Sequence, residues 1–190
     1  MFIRSERLFL RPGWPEDRSE LLSQIADTEM VRNLVTAPWP YAAVAARAES
    51  GSSREPRLPH FLVTLPGAKG SRLIGYIGIG RQAPVVDGGL PELGYWIARD
   101  HWNRGYATEA ARAILHLART LGHRELLAHH FVDKPASGRV LAKTGFMPTG
   151  RIAPRYSLAR GEYVPALICA MSLGGRSGCG GDEPETMRAA

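Results

Sequence analysis

Residues 92–121 have the residue types and spacing to bind a phosphorylated ligand. A strand predicted over 92–98 is followed by a short loop with Gly105, where a helix predicted over 104–121 begins. The first turn of a helix has unpaired backbone N–H groups and partial positive charge, which favour a phosphate. Glycine lets the backbone approach a ligand where a side chain would obstruct it. We therefore expect a cofactor with a pyrophosphate group at this turn.

The elements that must position this turn indicate one mixed α/β domain, with a mainly antiparallel first half. The predicted strands cover residues 6–11, 60–65, 73–81, 92–98, 126–132, 146–151 and 164–173. The predicted helices cover residues 17–25, 29–35, 41–50, 104–121 and 135–145. The glycine-rich segment 174–190 is expected to be disordered, so the predicted domain spans residues 1–173.

The composition is typical of a globular protein that attracts anions. Of its 190 residues, 44% are hydrophobic, and the formal net charge is +6. Nucleic acid and a polyphosphate cofactor both fit that charge, but no basic run interleaved with aromatic residues favours nucleic acid. The two cysteines form no disulfide framework, and the first residues lack the apolar core of a signal peptide. Since no apolar run could span a bilayer, we expect a cytoplasmic protein without membrane partners.

Two blocks of sequence carry a family resemblance. In residues 94–110, Gly105 and Ala107 match a pyrophosphate loop of the form Gln/Arg-x-x-Gly-x-Gly/Ala, and Trp102 replaces its first residue. Residues 133–146 form the second block, which ends in Gly-Phe. Together they resemble the GNAT superfamily of acyl-CoA N-acetyltransferases, most closely the branch of the ribosomal-protein N-terminal acetyltransferases. The resemblance implies a single GNAT-like α/β domain with a mixed, mostly antiparallel, twisted sheet of six to seven strands.

The resemblance also implies a site for acetyl-CoA as co-substrate, with no metal. Backbone N–H groups of the loop would bind the CoA pyrophosphate, while the arginine of the loop would add charge or remain in solvent. The strand before the loop would bond the pantetheine amides, since it is splayed from the next strand in this fold. The residues with these roles are Tyr95, Trp96 and Ile97 on the strand and Asn103, Arg104, Gly105, Tyr106, Ala107 and Thr108 in the turn.

Glu92 is the candidate general base. A carboxylate at the start of this strand would point into the cleft and accept a proton from an attacking amine, directly or through water. The alternative interpretation is a solvated loop residue beside Pro91. Asp87 and Glu55, on neighbouring loops, are less favoured candidates.

Ser137 is the candidate to hydrogen-bond or protonate the departing CoA thiolate, and the alternative is that it caps a helix. Lys134 stands where the family usually has Asn, and it would stabilise the thiolate or remain a surface lysine. Leu141 stands where many members have a tyrosine that protonates the thiolate. His129 and His130 are adjacent, so on a strand they face opposite ways and are not expected to share a metal ion.

The expected reaction is acetyl transfer from acetyl-CoA to a primary amine by direct attack, with both substrates bound together. The acceptor is either a protein N-terminus or a small amine metabolite, in a pocket from residues 14–41, 84–91 and 152–162. The departures at Lys134 and Leu141 leave a non-catalytic CoA-binding module as an alternative. A basic nucleic-acid-associated protein is less favoured, and a homodimer is left open.

Overall fold

The computed structural model describes residues 1–25, 27, 32, 55–68, 70–81, 89–157 and 160–174. The strands are β1 (Ile3–Arg4), β2 (Phe9–Arg11), β3 (His60–Gly67), β4 (Gly70–Gly80), β5 (Glu92–Ile97), β6 (Glu125–Phe131), β7 (Met147–Ser157) and β8 (Glu162–Ser172). The α-helices are α1 (Arg18–Ile25), α2 (Tyr106–Thr120) and α3 (Pro135–Thr144). The predicted helices at 29–35 and 41–50, Asp87 and the tail from 175 lie outside the described residues.

All of the described strands form one sheet, in the order β1-β2-β3-β4-β5-β6-β8-β7. Neighbouring strands are antiparallel except for β5 and β6, which are parallel and are connected through α2. The mixed, mostly antiparallel α/β prediction is therefore confirmed, but the sheet has eight strands rather than six or seven. The extra strand arises because the predicted first strand, 6–11, is in fact β2, preceded by a turn from Ser5 to Leu8 and by β1.

The sheet opens between its two parallel strands. In the described chain, the ladder between β5 and β6 has a single register pair, Glu92 with Leu127. The amide of Leu127 also donates to the carbonyl of Pro91, so the contact lies at the start of β5. Beyond Glu92 the strands diverge, and a ligand can approach the edge of β5 that faces β6.

The last hairpin differs from the prediction. We expected a strand over 146–151 and a loop over 152–162, but β7 continues to Ser157 and β8 starts at Glu162. β7 is the edge of the sheet, where Pro148 and Pro154 remove no hydrogen bond that a further strand would need. Most of the segment proposed as an acceptor loop is therefore rigid strand.

The main core lies between the sheet and α2. The helix buries Ala110, Ala111, Ile114, Leu115 and Ala118, as the 3.6-residue spacing predicts. These side chains belong to one apolar cluster with residues of β2 to β6 and with α3. The core therefore fixes the N-terminal ends of α2 and α3 beside the opening in the sheet. None of the described helices is long and apolar enough to cross a lipid bilayer.

Candidate active site

A cavity of about 500 Å³ lies at the opening of the sheet, between β5, β6 and the first turns of α2 and α3. It brings together nearly all of the residues that the sequence selects. Those that line it are Glu92, Tyr95, Trp96, Ile97, Asn103, Gly105, Tyr106, Ala107, Thr108, Lys134 and Ser137. Arg104 is exposed and does not line the cavity. The residues selected from the sequence thus form one continuous surface, although they come from different elements of the fold.

The turn before α2 presents backbone donors to the cavity. Gly105 is the N-cap residue of the helix, with φ of 81°, and no side chain caps this end. Asn103 also has a positive φ of 59°, which asparagine tolerates better than most residues. A Cβ at Gly105 would come 3.4 Å from a guanidinium nitrogen of Arg7, so there is just enough room for it. Glycine is required mainly by the left-handed backbone, which directs the uncapped N–H groups outward.

A side chain from the start of the chain holds this turn. The Arg7 Nε donates to Glu109 Oε2 at 2.8 Å, and Nη1 donates to the carbonyl of Arg104 at 3.0 Å. The guanidinium also lies over the Tyr106 ring, 4.7 Å from its centroid. We call Arg7 and Glu109 the loop clamp. The sequence prediction missed it, because the two residues lie 102 positions apart.

Glu109 is held in its charged form. Burial acts to raise the pKa of Glu109, but hydrogen bonds from the Arg7 backbone, from Ser5 and from the Arg7 guanidinium together hold it below its usual value. The backbone N–H of Arg7 and the Ser5 hydroxyl both reach Oε1 at 2.7 Å. The carboxylate therefore ties β1 and β2 to the first turn of α2.

The hydroxyl of Ser137 meets that of Tyr95 inside the cavity, 2.9 Å away. The Tyr95 hydroxyl also lies 3.2 Å from the Ser137 carbonyl, to which it can donate. Burial raises the pKa of Tyr95 to about 12, against a smaller lowering by the Ser137 hydrogen bond, so the phenol is neutral at physiological pH. Lys134 is the N-cap residue of α3, and its helix end has no side-chain cap. The alternative interpretation, in which Ser137 caps the helix, is therefore wrong.

Glu92 lies within the sheet rather than in a solvated loop. Its side chain is 12% exposed, and its Oε1 is 2.8 Å from Nδ1 of the buried His129. The other ring nitrogen of His129 is 2.6 Å from Nη2 of Arg155. The less favoured candidate Glu55 is 3.8 Å from Arg81 and does not line the cavity. Of the two candidate bases within the described residues, Glu92 is the one that lines the cavity.

Further cavity residues were not selected from the sequence. Arg139 and Lys143 project from α3 on the same side as Lys134, so three cations line this wall and suit an anionic ligand. Leu141 is 1% exposed and belongs to the core, so this chain has no polar group at the position where many family members have tyrosine. His129 and His130 lie on opposite faces of β6, as expected, and His130 contacts Gly138 of α3.

A family model described as an acetyltransferase (GNAT) domain matches residues 7–147, from the loop clamp to the start of β7. The chain belongs to the GNAT acetyltransferase family. A curated relative, the ribosomal-protein-serine acetyltransferase of Escherichia coli (strain K12), is 31% identical over 83 residues. That match spans 43% of this chain and 45% of the relative.

Two solved structures share the fold of this GNAT chain. A GNAT-family acetyltransferase from Bacillus anthracis superposes with a TM-score of 0.70 at 20% identity, covering 91% of this chain and 99% of that one. The spermidine N-acetyltransferase of Vibrio cholerae, solved with CoA and spermine, has a TM-score of 0.68 at 16% identity, covering 88% and 96%. The family and the fold implied by the two sequence blocks are therefore confirmed, and the roles of individual residues remain predictions.

Proposed function

We propose that the protein transfers an acetyl group from acetyl-CoA to a primary amine, with both substrates bound together. The observation that carries this proposal is the cavity at the opening of the sheet. It is lined by the uncapped N-terminus of α2, by Glu92 and by the part of β5 that has no register pair with β6 in the described chain. One cavity thus contains groups that can bind a phosphate, groups that can bind an amide and a carboxylate that can accept a proton.

The residues of the cavity fit CoA. The N–H groups between Asn103 and Thr108 bind the pyrophosphate, because the turn exposes them without a capping side chain. Lys134, Arg139 and Lys143 add positive charge on the opposite wall. The backbone of β5 beyond Glu92 has no register pair with β6 in the described chain, so it can bond the pantetheine amides.

Glu92 then acts as the base. The carboxylate takes a proton from the acceptor ammonium, and the freed amine nitrogen forms a bond to the acetyl carbon. Backbone N–H groups of β5 polarise the carbonyl, and the enzyme contributes chiefly by orienting the two substrates. The carbon–sulfur bond breaks as the amide forms, the sulfur leaves as a thiolate, and the second proton that the nitrogen loses passes to this sulfur to give the CoA thiol.

Ser137 assists the leaving sulfur. A neutral Tyr95 can donate to Ser137 Oγ, which frees the serine hydrogen for the sulfur, since hydroxyl hydrogens rotate to suit their partners. The buried Leu141 cannot supply a proton. The presence of leucine at this position, where many family members have tyrosine, also supports the second candidate function, a CoA-binding module without turnover.

Two acceptor classes remain open, a protein N-terminus and a small amine. The name of the E. coli relative favours the first, and the name and bound spermine of the V. cholerae structure favour the second. The net charge of +6 mildly disfavours a polycationic acceptor such as a polyamine. The cytoplasmic location likewise remains a prediction, and a homodimer remains open.

Acetyl-CoA turnover with a panel of amines tests the proposal. The panel contains peptides with free N-termini, single amino acids and polyamines, and release of free CoA thiol is measured alongside calorimetric CoA binding. Turnover with one class identifies the acceptor. CoA binding with no turnover across the panel favours the non-catalytic module, whereas no CoA binding at saturating concentration overturns the proposal. A salt-dependent DNA or RNA shift assay tests the nucleic-acid alternative.

A further inference from the structure

We propose that His129 and Arg155 are positioning residues that fix the orientation of the Glu92 carboxylate. This inference rests on the proposed function, because it assigns them the role of aligning the general base. The three side chains come from β5, β6 and β7.

The sheet register places the three side chains on one face. Glu92 lies opposite the β6 residue two places before His129. Arg155 lies opposite a β8 residue four places before the β8 partner of His129. Steps of two and four along a strand preserve the face, so all three side chains project to the same side of the sheet. The long Arg155 side chain crosses over β8 to reach the histidine.

Arg155 determines which ring nitrogen of His129 carries the proton. A guanidinium has only donors and stays charged at any physiological pH. At 2.6 Å from Arg155 Nη2, the Nε2 of His129 must therefore present its lone pair. The contact with Arg155 thus favours the tautomer of His129 that has its proton on Nδ1.

The Nδ1 atom lies close to the Glu92 carboxylate. The Nδ1 to Oε1 distance is 2.8 Å, although the approach is out of line for a hydrogen bond in this structure, so the contact is electrostatic. Catalytic hydrogen bonds are often poorly aligned until substrates bind. When this contact becomes an aligned hydrogen bond, Nδ1 of His129 donates to Oε1 of Glu92. The second carboxylate oxygen then remains to accept the amine proton.

The burial of this group argues against a purely structural role. The His129 side chain is 1% exposed, and removing polar groups from water costs free energy that apolar side chains of similar volume would not lose. A structural sheet face therefore does not need this arrangement. A base that must hold one orientation does need it.

Steady-state kinetics of four variants test the proposal, using the amine accepted best by the wild type. Arg155→Met and His129→Gln should each lower kcat about tenfold, within the range measured for coupled neighbours, with acetyl-CoA affinity unchanged. His129→Asn should lose about threefold or less, because its amide nitrogen sits near the Nδ1 position and still donates to Glu92. Arg151→Met, an exposed arginine on the same strand, serves as the matched control and should keep the wild-type kcat.

The double variant Glu92→Gln with Arg155→Met separates this inference from the proposed function. Its kcat should equal that of Glu92→Gln alone, because Arg155 acts only through the carboxylate. Independent effects that multiply would overturn the positioning role. Wild-type kcat in Arg155→Met, with Glu92→Gln impaired, overturns this inference alone. Wild-type kcat in Glu92→Gln overturns the base itself as well.

Nitrogen-15 NMR of the histidine rings provides a readout that does not depend on activity. The wild type should show His129 as the neutral Nδ1–H tautomer, and Arg155→Met should shift it toward the commoner Nε2–H form. Arg155→Lys should give an intermediate result, since it retains the charge but loses the planar fork. An Nε2–H tautomer in the wild type overturns the proposal, even if Arg155→Met fails to fold.

Discussion

The two walls of the cavity are built in different ways. The wall at α2 presents backbone N–H groups, and its shape is set by left-handed residues at Asn103 and Gly105. The wall at β5 and β6 presents side chains, and Glu92 takes its position from residues on two other strands. One wall depends on local chain conformation, and the other depends on contacts across the sheet.

This difference predicts how substitutions divide between binding and turnover. Damage to the backbone wall should weaken the affinity for acetyl-CoA, since this wall is the proposed site of the pyrophosphate, which does not react. Damage to the side-chain wall should lower kcat, since it acts only as the proton moves. A substitution that lowers both equally would show that the two walls are not separate.

Glu92→Gln should give the largest effect. We expect kcat to fall about 100-fold, the lower end for loss of a general base, because the amide cannot accept the amine proton. The dissociation constant of acetyl-CoA should not change. Initial rates at saturating acetyl-CoA, with calorimetric binding as the control, measure both quantities, and wild-type turnover would eliminate Glu92 as the base.

Gly105→Val should be next, and it affects binding instead. An L-residue in the left-handed conformation costs about 1–2 kcal/mol, and a β-branched residue costs more, so CoA affinity should fall about twentyfold. Gly150→Val is the matched control, because Gly150 has a similar φ of 76° and nothing within 4 Å of its added Cβ. Both variants should lose stability, but only Gly105→Val should lose affinity. Equal CoA affinities in the two variants would contradict the role of the turn.

The backbone wall could be predicted from the sequence because its parts are consecutive. Gly105, the loop around it and the start of α2 lie within a few residues of one another, so residue types alone indicate the turn. The positions of most strands and of α3 along the chain follow from the same local patterns. These features rely on short-range conformational preferences, which single sequences record well.

The side-chain wall could not be predicted in the same way. Alternation along β6 correctly separates His129 from His130, but it cannot show that His129 meets Glu92. Arg155 was assigned to a loop, because Pro154 and the exposed residues of β7 do not resemble a central strand. The loop clamp of Arg7 and Glu109 joins opposite ends of the fold. Such contacts depend on strand order and register, which only the folded sheet supplies.

Ser137→Ala tests the point where α3 meets the side-chain wall, since the Ser137 hydroxyl contacts that of Tyr95 on β5. Loss of one neutral hydrogen bond to the departing sulfur should lower kcat about tenfold, with little change in acetyl-CoA affinity. Tyr95→Phe should produce a smaller decrease, since Ser137 then keeps its hydroxyl but loses its partner at 2.9 Å. Rates for the two variants are compared at saturating substrate. A larger loss in Tyr95→Phe than in Ser137→Ala would assign the donor role to the tyrosine.

Glu109→Gln should give the smallest kinetic effect and a distinctive dependence on pH. Without the charged partner, Arg7 holds the turn less firmly, so the KM for acetyl-CoA should rise about fivefold while kcat at saturation is kept. Glu125→Gln, an exposed carboxylate at the first position of β6, is the control and should change neither value.

The acid stability of the same variant follows from the pKa of Glu109, which is held below its usual value by the loop clamp and Ser5 against the effect of burial. The unfolded chain binds the proton more readily than the native protein, so the carboxylate stabilises the native state above the ordinary glutamate pKa of about 4.3. This contribution is lost as the pH falls through the lower native pKa. Urea unfolding between pH 7 and pH 3 should therefore show the difference between wild type and Glu109→Gln shrinking on acidification. A difference that stays constant or grows would mean that the clamp does not depend on the charge of Glu109.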